Sequence, residues 1–252
     1  MSREPAEPDP FGCAIAVMAK ASVVGVTKTR LVPPLTFEEA AALNTAFVED
    51  ALDKLRALAD SAGVAGYVAY APRDARDFFR RAASGIGLIE AAVADLGLCM
   101  HRVLSSLLAS HGSACLFGSD SPTLPIEYLA QAAEALRRPG DRVVIGPASD
   151  GGYYLIGVKQ PHRSLFEAID WSTDRVLRQT LQRAGQLGLE AVVLPTWYDV
   201  DDREALCTLI GELCEGRRPR YAVGKSPARA AATRRQLEAL LAGSDLRRRF
   251  SA

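Results

Sequence analysis

The sequence predicts an α/β protein: a mainly parallel sheet covered by helices on both faces, with one local antiparallel pair. Three observations carry this. Short β-rich runs alternate with longer stretches of helical periodicity along most of the 252 residues. The first run, "CAIAVMAK" (13–20), is almost wholly apolar, as a strand buried on both faces should be. Two later runs, "RVVIGPA" and "YYLIGV", are joined through "SDGG", too short for a crossover helix, so they pair antiparallel.

The elements follow in order. "FEEAAALNTAFVEDALDKLRALAD" (37–60) spaces Leu43, Phe47, Ala51, Leu55 and Leu58 as one helix face, after Thr36 as N-cap. "VAGYVAYA" (64–71) is a strand, and 74–83 a short helix. "LCMHRVLSSLLASH" is a helix, "ACLFG" a strand, and "IEYLAQAAEALRR" a helix closed by Pro139-Gly140. After the antiparallel pair come helix "STDRVLRQTLQRAGQLG", strand "AVVLP" and helix "REALCTLIGELCEG". "SPARAAATRRQLEALLAG" predicts a last helix over 226–243, with Ser226 as N-cap, Pro227 at its first position and Gly243 just past its end. No internal repeat is visible. The expected organisation is a polar, Pro-rich disordered lead-in (1–12), an α/β body (13–215) and a basic tail (216–252).

Composition excludes several classes. No apolar run approaches the roughly 20 residues of a membrane span. The start is not a signal peptide, which makes the cytoplasm the expected compartment. Cys13, Cys99, Cys115, Cys207 and Cys214 form no CxxC pair and the three histidines are scattered, so neither a Cys/His zinc site nor a disulfide framework is expected. Formal charge is zero, yet residues 216–252 hold ten basic and two acidic residues, so the tail is +8 and the body −8. Such a tail docks on the body, on a second subunit or on an anionic partner. Leu237, Leu240 and Leu241 favour docking, with self-association through the tail as one form of it. Nucleic acid is not the expected partner, since aromatic interleaving is nearly absent.

Ligands of open α/β sheets bind beyond the carboxyl ends of the strands, and three stretches fall there. "KASVVGVTKTRLVPPL" puts Lys20, Gly25, Lys28 and Arg30 on a loop that could cradle a polyphosphate, although the Walker A spacing is absent. "GSDSP" places Asp120 at the mouth of a buried strand. There it either hydrogen-bonds its own turn or holds Mg²⁺ together with substrate phosphates. "LPTWYDVDDREAL" supplies Asp199, Asp201 and Asp202; one of the last two caps a helix, which leaves Asp199 unexplained.

"KTRLVPPL", "GSDSPTLP", "IGPASDGGYYLIG", "WSTDRV" and "WYDVD", in this order, resemble a transferase family of unknown substrate, the 2-phospholactate-guanylyltransferase-like or glycosyltransferase-like proteins of DUF2064 type. The resemblance covers residues 13 to about 210. It implies the nucleotide-diphospho-sugar transferase (GT-A) fold, a three-layer αβα sandwich, and a nucleotide-dependent transferase using Mg²⁺ or Mn²⁺. By resemblance Lys28 and Arg30 grip nucleotide phosphates, and Asp120 binds the metal with Asp199 and Asp201. Asp150, Gly151 and Gly152 line the substrate pocket, with Ser172 and Thr173 opening a helix toward the acceptor. Asp95 and Gly97 remain from a "DLG" element near the base, without the Gln, Gly and Arg that usually flank it. Both nucleotidyl transfer to a small phosphorylated or carboxylate acceptor and glycosyl transfer from a nucleotide-sugar fit these motifs. The basic loop favours the first, because only a triphosphate has distal phosphates to hold. A nucleotide-binding module without turnover is the third reading.

Overall fold

A computed structural model describes residues 12–222, 225–243 and 245–251. The lead-in expected over 1–12 falls almost wholly outside them. The element order is β1 (Cys13–Lys20), α1 (Phe37–Ala62), β2 (Ala65–Ala71), α2 (Arg76–Ala82), β3 (Gly87–Glu90), α3 (Leu96–Leu108), β4 (Ser113–Gly118) and α4 (Ile126–Arg137). Then come β5 (Arg142–Pro147), β6 (Tyr153–Val158), α5 (Val176–Gln186), β7 (Glu190–Val193), α6 (Arg203–Glu215), α7 (Ala231–Gly243) and α8 (Leu246–Ser251).

The seven strands form one sheet in the order β3-β2-β1-β4-β6-β5-β7. All neighbours are parallel except β6, which runs against both β4 and β5. The short Ala148–Gly152 connection enforces that reversal. β1 shows why the sheet is a core and not a surface: Cys13, Ile15 and Val17 belong to one apolar cluster, Ala14 and Ala16 to the other. The first cluster, under α1, α4, α6 and α7, holds Phe47, Tyr128 and Trp197; the second, under α3 and α5, holds Met100, Leu104 and Ala184. Each fully buried Ile or Leu there contributes about 1.5–3 kcal/mol. No helix among the described residues is long and apolar enough to cross a membrane.

Local signals explain the helix starts. Thr36 accepts from the Glu39 N–H at 3.2 Å while the Glu39 carboxylate accepts from Thr36 N–H at 2.8 Å, a reciprocal cap. Asp202 caps α6 through Ala205 N–H at 2.8 Å. Three expectations need correction. α5 starts at Val176, so Ser172 and Thr173 lie in the turns before it; Ser172 is left-handed (φ 63) and the Thr173 hydroxyl donates to Asp170 O at 2.7 Å. α7 starts at Ala231, not Ser226, and includes Gly243. Its cap comes from far away in sequence: the buried Asp50 carboxylate on α1 accepts from Ala232 N–H at 3.0 Å and Thr233 N–H at 2.9 Å. Leu237 and Leu240 are buried in the first cluster, which uses the tail's apolar face within the chain. The short edge strand β3 was not foreseen.

Candidate functional site

The site is assembled at the carboxyl edge of the sheet from the ends of β1 and β4 and from the segment after β7. That last segment runs on beside β5, with Leu194 N–H on Ile145 O at 2.8 Å and Trp197 N–H on Pro147 O at 3.0 Å. It then crosses to β4, where Val200 N–H donates to Asp120 O at 2.8 Å. Trp197 and Val200 are fully buried while Asp199 and Asp201 stay half-exposed, so the acidic groups face the mouth.

Lys28 joins the two. A turn pinned by Thr27, whose hydroxyl donates to Ala21 O at 2.9 Å, brings the chain into a left-handed residue at Lys28 (φ 55, ψ 36). The side chain therefore points inward over the Phe47 ring, at 5.4 Å from its centre. Its ammonium meets Asp120 Oδ1 at 2.7 Å, Asp201 Oδ1 at 2.9 Å and Val200 O at 2.9 Å. All three donors are engaged. Burial opposes the charge, but Asp120 and Asp201 outweigh it and hold Lys28 above the ordinary lysine value. Arg30 reaches Asp201 Oδ2 at 2.6 Å with its side chain 72% exposed. Despite burial, these two cations keep Asp201 below the usual carboxylate range. In this structure Lys28 is an internal counter-ion to Asp120 and Asp201, and the Arg30 guanidinium faces solvent. Lys20 is exposed at the end of β1, and Gly25 is left-handed (φ 75) on the open loop.

Asp199 is different. Burial, then Asp150, Asp201 and Asp120, push its carboxyl up to about 7. Among the described residues it makes no ion pair. Nor do any three His, Cys, Asp or Glu side chains there gather closely enough to hold a metal ion. The triad Asp120–Asp199–Asp201 expected for a metal is therefore split: Asp201 serves Lys28 and Arg30. Asp120 also meets Lys28, through Oδ1; with Asp199 it leaves few carboxylate oxygens, and few protein oxygens completed by substrate phosphates are the usual set for Mg²⁺.

The "DGG" turn abuts this cluster. Asp150 Oδ1 accepts from Gly152 N–H at 2.8 Å, and Gly151 (φ 92) packs so tightly that a Cβ would lie 2.4 Å from Asp174 O. Gly151 O in turn accepts from Leu177 N–H at 2.9 Å, tying the turn to the start of α5. On the α3 side, Asp95 caps the helix through Leu98 N–H at 2.6 Å. A Cβ on Gly97 would lie 2.9 Å from the Trp171 ring. Asp95, Gly97, His101, Arg163, Phe166 and Trp171 line a cavity of about 340 Å³. Sequence reasoning missed Trp171, His101 and Arg163 as well as Phe47 under Lys28. The "W" of "WSTDRV" was the available signal for Trp171, an aromatic set in a polar turn.

Residues 52–173 match the family described as "Uncharacterized protein conserved in bacteria (DUF2064)". That stretch includes Asp120 and the "DGG" turn but not Lys28, Arg30 or Asp199. No curated protein matches the chain. Among solved structures, a protein of Desulfovibrio desulfuricans G20, provisionally assigned as a nucleotide-diphospho-sugar transferase, is 26% identical with a TM-score of 0.77, over 96% of this chain and 99% of that one. A cytidylyltransferase of Leptospira borgpetersenii shares the fold at 12% identity and TM-score 0.52, over 93% and 96% of the two chains. So does 4-diphosphocytidyl-2C-methyl-D-erythritol synthase of Anaerococcus prevotii, at 11% and 0.51, over 81% and 96%. The family resemblance read from the motifs is thereby shown over residues 52–173, in a chain similar to the Desulfovibrio protein over nearly its whole length.

Proposed function

We propose that the protein is a nucleotide-dependent transferase, and within that class a nucleotidyltransferase acting on an NTP and a small phosphorylated or carboxylate acceptor. The observation that carries this reading is the charge arrangement at the strand ends. Lys28 neutralises Asp120 and Asp201 from within, and Arg30 extends from the same loop into solvent. A polyphosphate approaching this edge meets an exposed guanidinium instead of an unscreened row of carboxylates. The acceptor oxygen attacks the α-phosphorus, its bond to the bridging oxygen breaks, and pyrophosphate leaves with the electron pair. Arg30 would stabilise that charge on the distal phosphates. Asp120 and Asp199 are the residues proposed to hold Mg²⁺ or Mn²⁺, which when bound supplies charge neutralisation on phosphate oxygens. Asp150, Gly151, Gly152 and the Trp171–Ser172–Thr173 turn are assigned to the acceptor side, and Asp95 and Gly97 to its border with the nucleotide. A cytoplasmic enzyme is the setting this chemistry implies.

The name given to the Desulfovibrio protein favours a second reading, glycosyl transfer from a nucleotide-sugar. Product analysis separates them. Each NTP with candidate acceptors, and each nucleotide-sugar, is incubated with Mg²⁺, and pyrophosphate and nucleoside diphosphate are assayed. Pyrophosphate is expected. Nucleoside diphosphate from a sugar donor, with no pyrophosphate from any NTP, establishes the second reading; tight binding without either product means a binding module. Arg30→Ala should weaken NTP binding about tenfold, the loss of one charge-assisted contact, and leave nucleoside monophosphate binding nearly unchanged.

A further inference from the structure

The two charged loops of the site are both held by the C-terminal segment. The loop after β4 is buried at every residue from Ser119 to Pro125 except Asp120. Lys54 of α1 donates to Pro122 O at 2.5 Å from one side. From the other, Ala228 N–H of the tail donates to Thr123 O at 2.9 Å. The Thr123 hydroxyl lies 3.1 Å from Glu212 Oε2 of α6 and 3.3 Å from the Tyr198 hydroxyl, which donates to the same carboxylate. Tyr198 precedes Asp199 and stacks on Tyr221 of the tail at 6.0 Å.

At its far end the tail reaches the other loop. Arg249 of α8 donates to Pro34 O at 2.6 Å and pairs in a fork with both Glu39 oxygens, each at 2.7 Å. Pro34 closes the segment that begins at Lys28, and Glu39 is half of the cap that starts α1. Between these two ends, α7 is fixed to α1 by the Asp50 carboxylate. One segment therefore touches the loop carrying Lys28 and Arg30 and the loop carrying Asp120, and is anchored midway.

We propose that the C-terminal segment is a brace that sets the spacing of the cationic and acidic loops, with Ala228 and Arg249 as its two points of contact. The catalytic part of this inference rests on the transferase reading; the brace itself does not. The test uses the 252-residue chain with Ala228→Pro, which removes the donor to Thr123 O, and with Arg249→Met, Arg249→Lys and Asp50→Asn. Hydrogen–deuterium exchange is followed at the amides of 28–35 and 119–124. Loss of one buried hydrogen bond should speed local exchange about tenfold. Ala228→Pro should act on 119–124, Arg249→Met on 28–35, and Asp50→Asn, which loosens the midpoint, on both. Arg249→Lys, which keeps a charged donor for Glu39, should restore part of the wild-type pattern at 28–35. Exchange unchanged in both loops, or raised uniformly across the sheet, overturns the brace. Where turnover is measurable, Ala228→Pro should lower kcat about tenfold at constant KM, and Arg249→Met should chiefly raise KM for the NTP. Wild-type protein without turnover on any NTP would defeat the nucleotidyl reading and leave the exchange result to decide the brace.

Discussion

The loop after β4 and the loop after β1 bring opposite charges to one place, but they are built in opposite ways. Residues 119–125 are sunk in the protein with their polar groups bonded to α1, α6 and the tail, and only Asp120 looks out. Residues 22–30 run over the surface: Val23, Val24 and Val26 are 43%, 54% and 71% exposed, and only Thr27 is buried. A carboxylate that must hold its place is mounted on a fixed wall. The cations arrive on a loop with room to adjust, tethered by the Lys28 ammonium.

This contrast can be broken or sharpened. Asp120→Asn should have the largest effect: turnover falls about a thousandfold, as when one group that stabilises developing charge is removed. Its fold should persist by circular dichroism, because Asp201 and Val200 O still receive Lys28. If Asp120 served only the turn, Asn would replace it with activity retained. Next comes the wall itself. Burial raises the Glu212 carboxyl to about 7, with the Tyr198 and Thr123 hydroxyls opposing the shift. Between its ordinary 4.5 and about 7 the folded chain keeps a proton that the unfolded chain has lost. Stability therefore falls as pH rises through that window, by about 3 kcal/mol, and then levels off. Glu212→Gln should flatten that part of the profile, read by denaturant unfolding at pH 5 and pH 8. The smallest effect belongs to the open loop: Val26→Ser should change stability by less than about 0.5 kcal/mol. A larger loss would mean that the loop is packed in solution.

These differences also mark what the sequence could reveal. Strand runs such as 13–20 and 113–118 were legible because a buried strand is apolar on both sides, and Asp120 stood out as the polar residue ending one. Asp199 was legible because helix capping accounts for Asp201 or Asp202 but not for it. The split between Asp199 and Asp201 was not, since it depends on where one lysine side chain points, and that follows from a left-handed turn at Lys28 which no side-chain pattern announces. The start of α7 was misplaced because Ser226-Pro227 carries a local cap signal, whereas the cap used is a carboxylate on α1. β3 escaped because its four residues, all at least partly exposed, hardly alternate.

The Asp50 cap has a consequence for how the protein is made. During synthesis α1 leaves the ribosome early with its capping carboxylate waiting for a helix start encoded 182 positions later. The sheet can close and the three acidic and basic stretches can meet before that partner exists. The contacts of Ala228 and Arg249 come only after α6 has been made. A chain cut short after α6 would carry every charged group of the pocket and lack the segment proposed to align them, so the site would be assembled in composition before it is braced in position.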